Sequence, residues 1–324
     1  MPIVEVDKLA KYFGEIRAVD GISFDVEEGQ IFGFLGPNGA GKTTTINMLC
    51  TILRPTAGRA RLAGFDVEAN PNQVRKSIGL VFQDPSLDEK LTARENLEFH
   101  GMIYHIPKKE RHQRIDAVLK MVDLEGRQND YVRVFSGGMK RRLEIARGFI
   151  HYPRILFLDE PTLGLDPQSR VHIWDYIKDL RKRESLTIFL TTHYMEEAEN
   201  CDQIAVIDNG KIIAMDDPVT LKENVKGDMI TVKVADLDRA AAEIKDRYGL
   251  EVQKNSESIH FEVKGGEEFI PGFVKDFSVP ITNVSLHKPT LDDVFLKLTG
   301  RAIRDEKAGS FDRMRAFVRG RRRR

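Results

Sequence analysis

Along the first two-thirds of the chain, short apolar runs stopped by glycine or an acid alternate with segments whose apolar residues return every three or four positions. The first pattern predicts strands buried on both faces, and the second predicts helices with one buried stripe. Residues 3–6 and 22–26 read as early strands. Residues 31–35 form a buried strand ending in glycine, and residues 43–53 follow as a helix with Ile46, Leu49, Cys50 and Leu53 on one face. A strand is predicted at 78–83, helices at 92–104, 108–122 and 137–150, and a buried strand at 155–158. Val171, Trp174, Ile177 and Leu180 mark the next helix, with Trp174 read as a core residue. A strand at 186–190 precedes a hairpin, 204–207 and 211–214, turning at Asp208-Asn209-Gly210.

The texture changes after Asp217-Pro218. Strands are predicted at 229–234, 250–253, 259–263 and 281–286. Helices are predicted at 237–248, at 269–277 despite Pro271-Gly272, and at 291–298. The order β-α-β-β-α-β predicts a small split-βαβ layer with an added helix. The expected organisation is an α/β domain over 2–220 with a helical insertion at about 88–150, a small α+β accessory domain over 221–300, and a tail over 301–324.

Composition narrows the class. With 324 residues, 41% hydrophobic and 31% charged, the chain suits a globular protein of two domains. No run approaches the roughly 18 apolar residues of a membrane span, and the first residues lack the apolar centre of a secretory signal. Cys50 and Cys201 stand apart and suggest neither a disulfide framework nor a zinc site, so a reducing cytoplasm is expected. The formal charge is zero, yet residues 301–324 carry a balance of +7 against −7 for the rest. A flexible tail ending in four arginines suits either contact with anionic lipid or a solvated segment with no dedicated partner; nucleic acid is a poorer match, because no aromatic surface interleaves the charge.

Three segments carry chemistry. Gly36-Pro37-Asn38-Gly39-Ala40-Gly41-Lys42-Thr43 has the form GxxxxGK[ST], followed by Thr44 and set between a strand and a helix. Glycine frees the backbone to aim N–H groups at phosphate, Lys42 reaches the β/γ-phosphates, and the Thr43 hydroxyl can ligate Mg²⁺. Asp159-Glu160 follows four apolar residues, which places both carboxylates at the carboxyl end of a buried strand. Asp159 suits Mg²⁺ coordination, direct or through water, and Glu160 suits activation of the attacking water. Ser136-Gly137-Gly138-Met139 opens a helix that Ser136 can cap. Gln83 after one strand and His193 after another complete the set.

In this order and spacing, residues 2–220 resemble the ATP-binding-cassette (ABC) family. The resemblance implies a head-to-tail dimer in which ATP and Mg²⁺ lie between the phosphate loop of one subunit and the Ser136-Gly137-Gly138 signature of a second copy. It further implies that Phe13, or the adjacent Tyr12, stacks on adenine, and that Gln83 senses the γ-phosphate, the metal and a membrane partner. Asp166 would communicate across the dimer, and His193 would hold the γ-phosphate. Phe135 and Met139 depart from the common LSGGQ form. Met139 lacks an amide, which implies a weaker polar contact without loss of activity.

Residues 138–143, 164–167 and 289–295 are similar to separately encoded ATP-binding subunits of ABC-2-type exporters, of the daunorubicin/doxorubicin-resistance or sodium-export type. That similarity implies a motor on the inner face of the cell membrane, docked through residues 83–104 and the helices that follow to a multispanning permease. A soluble ABC ATPase acting on ribosomes, nucleic acid or an assembly complex is the alternative class; a single cassette without a long heptad-rich insertion speaks against it. A metabolite-sensing or dimerising role for residues 229–287 has no ligand-like cluster behind it.

Overall fold

The computed structural model describes residues 2–184, 186–223, 227–254 and 258–299, and they fall into two compact units that divide between Asp216 and Asp217. The Arg-rich segment 301–324 lies outside the described residues. In chain order the first unit runs β1 (Pro2–Phe13), β2 (Ile16–Glu27), β3 (Ile31–Leu35), α1 (Lys42–Leu49), β4 (Ala57–Leu62), β5 (Phe65–Asp66), α2 (Pro71–Ser77) and β6 (Ile78–Val81). It continues α3 (Ala93–Ile103), α4 (Lys108–Met121), α5 (Gly137–Phe149), β7 (Ile155–Asp159), α6 (Pro167–Glu184), β8 (Thr187–Thr192), α7 (Met195–Ala198), β9 (Gln203–Asp208) and β10 (Lys211–Asp216).

Two sheets organise this unit. Strands β2-β1-β4-β5 form an antiparallel sheet. The other has the order β10-β9-β3-β8-β7-β6, parallel except for the edge strand β10. Strands β3, β7 and β8 are buried along their whole length, as continuous apolar runs require when both faces are covered. Phe24 of β2 stacks on Phe32 of β3 at 5.3 Å, and Phe189 of β8 lies 5.2 Å from both Phe32 and Phe157. This aromatic cluster binds the antiparallel sheet to the parallel one and fixes the strands whose ends carry the chemistry. Trp174 is buried with the core, as its spacing predicts.

Several elements differ from expectation. Helix α1 stops at Leu49 instead of 53, because Thr51 takes the left-handed conformation (φ 62°) and the Ile52 and Leu53 amides turn back to Asn47 O. Strands β4 and β5 and helix α2 were not foreseen. Helix α3 begins with a capping box in which Thr92 and Glu95 satisfy each other's backbone amides. The hairpin β9–β10 turns at Asn209 and Gly210, both with positive φ.

The second unit runs α8 (Pro218–Glu223), β11 (Asp228–Val234), α9 (Leu237–Tyr248), β12 (Val252–Lys254), β13 (Ile259–Val263), α10 (Gly266–Asp276), β14 (Ile281–His287) and α11 (Leu291–Thr299). Its antiparallel sheet has the order β12-β13-β11-β14, the α+β arrangement that the alternating pattern predicts. Ile230, Val232, Ala240, Ile244, Phe261 and Phe273 form its core.

Candidate functional site

Each parallel strand of the large sheet delivers its loop at the carboxyl end, and the phosphate loop, the Asp159-Glu160 pair and His193 lie there. The phosphate loop leaves β3 with Gly36, whose amide donates to Thr192 O at 3.2 Å. A Cβ on Gly36 would sit 2.3 Å from Ile207 O, and one on Gly41 (φ 110°) would sit 2.5 Å from Ala18 O. Only glycine allows that close approach of loop to backbone. The Ala40 carbonyl accepts from Gly210 N at 3.0 Å, which ties the loop to the β9–β10 turn. Gly36, Pro37, Asn38, Gly39, Ala40 and Gly41 thus form a braced turn at the head of α1, whose first residues are Lys42, Thr43 and Thr44. A helix start facing a tight glycine loop is a site for phosphate.

Lys42 is buried and folds over its own loop, donating to Gly36 O at 2.6 Å and Pro37 O at 3.2 Å. Its ammonium also lies 3.4 Å from Glu160 Oε1. Burial pulls its pKa below the usual lysine value, an effect that Glu160 opposes.

The acidic pair closes the site from β7. Asp159 Oδ1 accepts hydrogen bonds from Thr191 and, at 3.4 Å, from the Thr43 hydroxyl. Burial nevertheless pushes its pKa above the ordinary value. Glu160 follows in the left-handed conformation, φ 47°, and its amide donates to both the carbonyl and the hydroxyl of Thr191 at 3.1 Å. The Glu160 carboxylate lies between Lys42 and His193, with His193 Nδ1 3.2 Å from Oε2. Burial raises its pKa, but neighbouring His193 and the Lys42 charge outweigh that, so the net shift is downward. A hydroxyl and a carboxylate this close are hard oxygen donors beside a phosphate loop. That set fits Mg²⁺, which takes few protein ligands and keeps the rest for water and phosphate.

The other expected residues stand apart from this cluster. Gln83 is exposed, two residues past β6. Phe13, at the end of β1, exposes 47% of its surface, whereas the Tyr12 hydroxyl is engaged by Asp20 at 3.1 Å. Lys11 Nζ lies over the Phe13 ring at 5.3 Å, and the Arg17 guanidinium over that of Tyr12 at 5.6 Å. Ser136 caps α5 by accepting from Met139 N at 3.2 Å, and Gly138 faces Ser169 so closely that a Cβ would stand 3.0 Å from its hydroxyl. A cavity of about 200 Å³ opens there, lined among others by Ser136, Gly138, Met139, Arg142 and Ser169. Asp166 accepts from the Ser169 amide and hydroxyl at the start of α6.

Three residues of the site escaped sequence reasoning. Thr191 holds both acids, and its only signal is its place two residues before His193. Glu197 is buried in α7, where it accepts from the Thr162 hydroxyl; burial raises its pKa to about 7, with Thr192 and Arg170 opposing only in part. Arg141, inside α5, donates to the carbonyls of Asp159, Glu160 and Pro161.

Comparison with known proteins gives one consistent answer. The family model described as ABC transporter matches residues 19–163. The chain is 40% identical over 303 residues to the Daunorubicin resistance ATP-binding protein DrrA3 of Streptomyces coeruleorubidus, covering 92% of this chain and 96% of that one. It is 40% identical to the Nod factor export ATP-binding protein I of Ralstonia nicotianae, covering 94% and 96%. Among solved structures, a dimeric post-hydrolysis ATP-binding cassette bound to ADP and Pi superimposes with a TM-score of 0.60 at 28% identity, covering 66% of this chain and 98% of that one.

Proposed function

The chain belongs to the ATP-binding cassette transporter family, as one of its ATP-binding subunits, and from that premise we propose that it hydrolyses ATP to drive export through a separately encoded membrane permease. The observation that carries the chemistry is the Glu160 carboxylate, ionised and fixed between Lys42 and His193 at the mouth of a phosphate loop. The reaction is transfer of the γ-phosphoryl group to water. Glu160 accepts the proton of the attacking water, and Lys42 leaves its loop carbonyls to meet the phosphate charge. His193 orients Glu160 and the terminal phosphate. Thr43 and Asp159 would hold Mg²⁺, with Gln83 approaching from the β6 end; the ion supplies charge neutralisation of the phosphates.

Phe13 supports the adenine. Ser136, Gly137 and Gly138 lie outside the Lys42 cluster, which fits their use on nucleotide held by a second copy in a head-to-tail dimer. ATP then closes the dimer, and loss of the γ-phosphate releases it.

Export accords with the relatives named for resistance and export. No helix of the described residues is long and apolar enough to cross a membrane; in this reading a separate permease forms the route for cargo. Phe99 (57% exposed), Met102 and Ile103 (55%) leave an apolar face open on α3, within the 83–104 region expected to dock the permease. The reading places the subunit on the inner face of the membrane, with the basic segment after residue 300 against anionic lipid. The test is isolation of native complexes with the full chain. A multispanning protein that supports ATP-dependent efflux in vesicles is expected; complexes lacking any membrane protein would overturn the export reading.

A further inference from the structure

Arg141 makes more of the site's geometry than any motif residue does. Its side chain is buried, and a guanidinium has five N–H donors in a fixed fork. All five are used. Nε donates to Pro161 O at 2.6 Å, one terminal nitrogen donates to Asp159 O at 3.0 Å and Glu160 O at 3.1 Å, and the other donates to Phe82 O at 2.6 Å and Glu144 Oε2 at 3.0 Å. Glu144, itself buried, supplies the countercharge that a buried cation requires. Its second oxygen accepts from Ser86 N at 2.8 Å. Arg147, one turn further along α5, donates to Ser86 O at 2.6 Å.

The three carbonyls taken together belong to consecutive residues, Asp159, Glu160 and Pro161. All three face one guanidinium, with Glu160 between them in the left-handed conformation, which a non-glycine residue keeps only where neighbours hold it. Thr191 holds the amide side of that residue and Arg141 holds the carbonyl side. Without the carbonyl-side bonds, that conformation would be held by Thr191 alone.

We propose that Arg141 is the positioning residue for Glu160, and that the same guanidinium, through Phe82 O, locks the Gln83 segment to the residue that activates water. Helix α5 thereby grips residues 82–86 at both ends while setting the base, so a displacement of Gln83 is felt at Glu160 without any contact between the two side chains. This rests on the proposed role of Glu160.

The test is steady-state turnover of the full chain with MgATP, comparing Arg141→Met, Arg141→Lys, Glu160→Gln and the double variant Arg141→Met/Glu160→Gln. A base misplaced by about 1 Å loses about 100-fold in rate. Arg141→Met is therefore expected to lower kcat by about that factor with the KM for ATP within about threefold, since the phosphate loop is untouched. Arg141→Lys keeps the charge but not the fork, and should fall between; it carries the test if the methionine variant does not fold. The double variant should turn over no more slowly than Glu160→Gln alone, because both changes remove the same function. Unchanged kcat in either Arg141 variant, or an effect on KM alone, would overturn the proposal while leaving Glu160 as base. Losses that multiply in the double variant would do the same. Normal turnover by Glu160→Gln would overturn both readings together.

Discussion

His193 Nδ1 stands 3.2 Å from Glu160 Oε2, although the two residues arrive on separate strands, β8 and β7. The other Glu160 oxygen faces Lys42, so the carboxylate is held ionised by two neighbours and oriented by one. Glu160→Gln keeps the shape and removes the proposed base. Turnover should fall by about 10²–10⁴-fold, while nucleotide binding stays near wild type and the ATP-bound dimer lives longer. Single-turnover hydrolysis and size-exclusion chromatography with ATP check both halves.

Glu197 makes stability depend on pH in the direction opposite to a salt-bridged acid. Its pKa is about 7 in the folded chain against an ordinary 4.5. Between those values the native state keeps a proton that the unfolded chain has lost, so stability falls as pH rises, and the cost is complete above about pH 7. Glu197→Gln retains an acceptor for Thr162 and removes the titration. Its Tm should match wild type near pH 4.5 and exceed it increasingly up to pH 8; an advantage that stays flat across that range would sink the idea.

Ser136 has a structural duty distinct from any nucleotide contact. Loss of its cap on Met139 N should cost about 1 kcal/mol. For a unit of this size that is about 2–4 °C in Tm. If Ser136 also meets nucleotide on a second copy, Ser136→Ala will lower turnover far more than that small shift explains. Thermal melts beside ATPase assays separate the two effects.

Thr43 and Asp159 share the proposed metal site. Thr43→Val preserves bulk and removes one hard donor, so the Mg²⁺ concentration for half-maximal turnover should rise several-fold with little change in Tm. A magnesium titration at fixed ATP measures it, and an unchanged midpoint would remove Thr43 from the ligand set.

The phosphate loop and the acidic strand were legible because each is a local pattern whose meaning survives in a short window. The same holds for the β9–β10 turn, where Asn209-Gly210 specifies positive φ. Residues 57–77 were not legible. In β4 only Ala60 and Leu62 are buried, and in α2 only Val74, so neither element shows a period long enough to recognise. The roles of Arg141 and Glu197 were hidden for a different reason. Arg141 meets Glu160 across 19 residues and Phe82 across 59, and Glu197 meets Thr162 across 35. On a helix, a buried arginine reads like any solvated one until the tertiary fold supplies its acceptors.

Strand β8 lies between β3 and β7, hydrogen-bonded to both. The phosphate loop is therefore joined to the acidic pair by a strand that follows both in the chain. Until β8 is in place, the two halves of the nucleotide site belong to strands, β3 and β7, that share no ladder. The site closes when Thr187–Thr192 inserts, bringing Thr191 to Asp159 and the Thr192 carbonyl to Gly36. Assembly of the catalytic centre is thus a late, non-local event, and ATP has no complete pocket to stabilise before it.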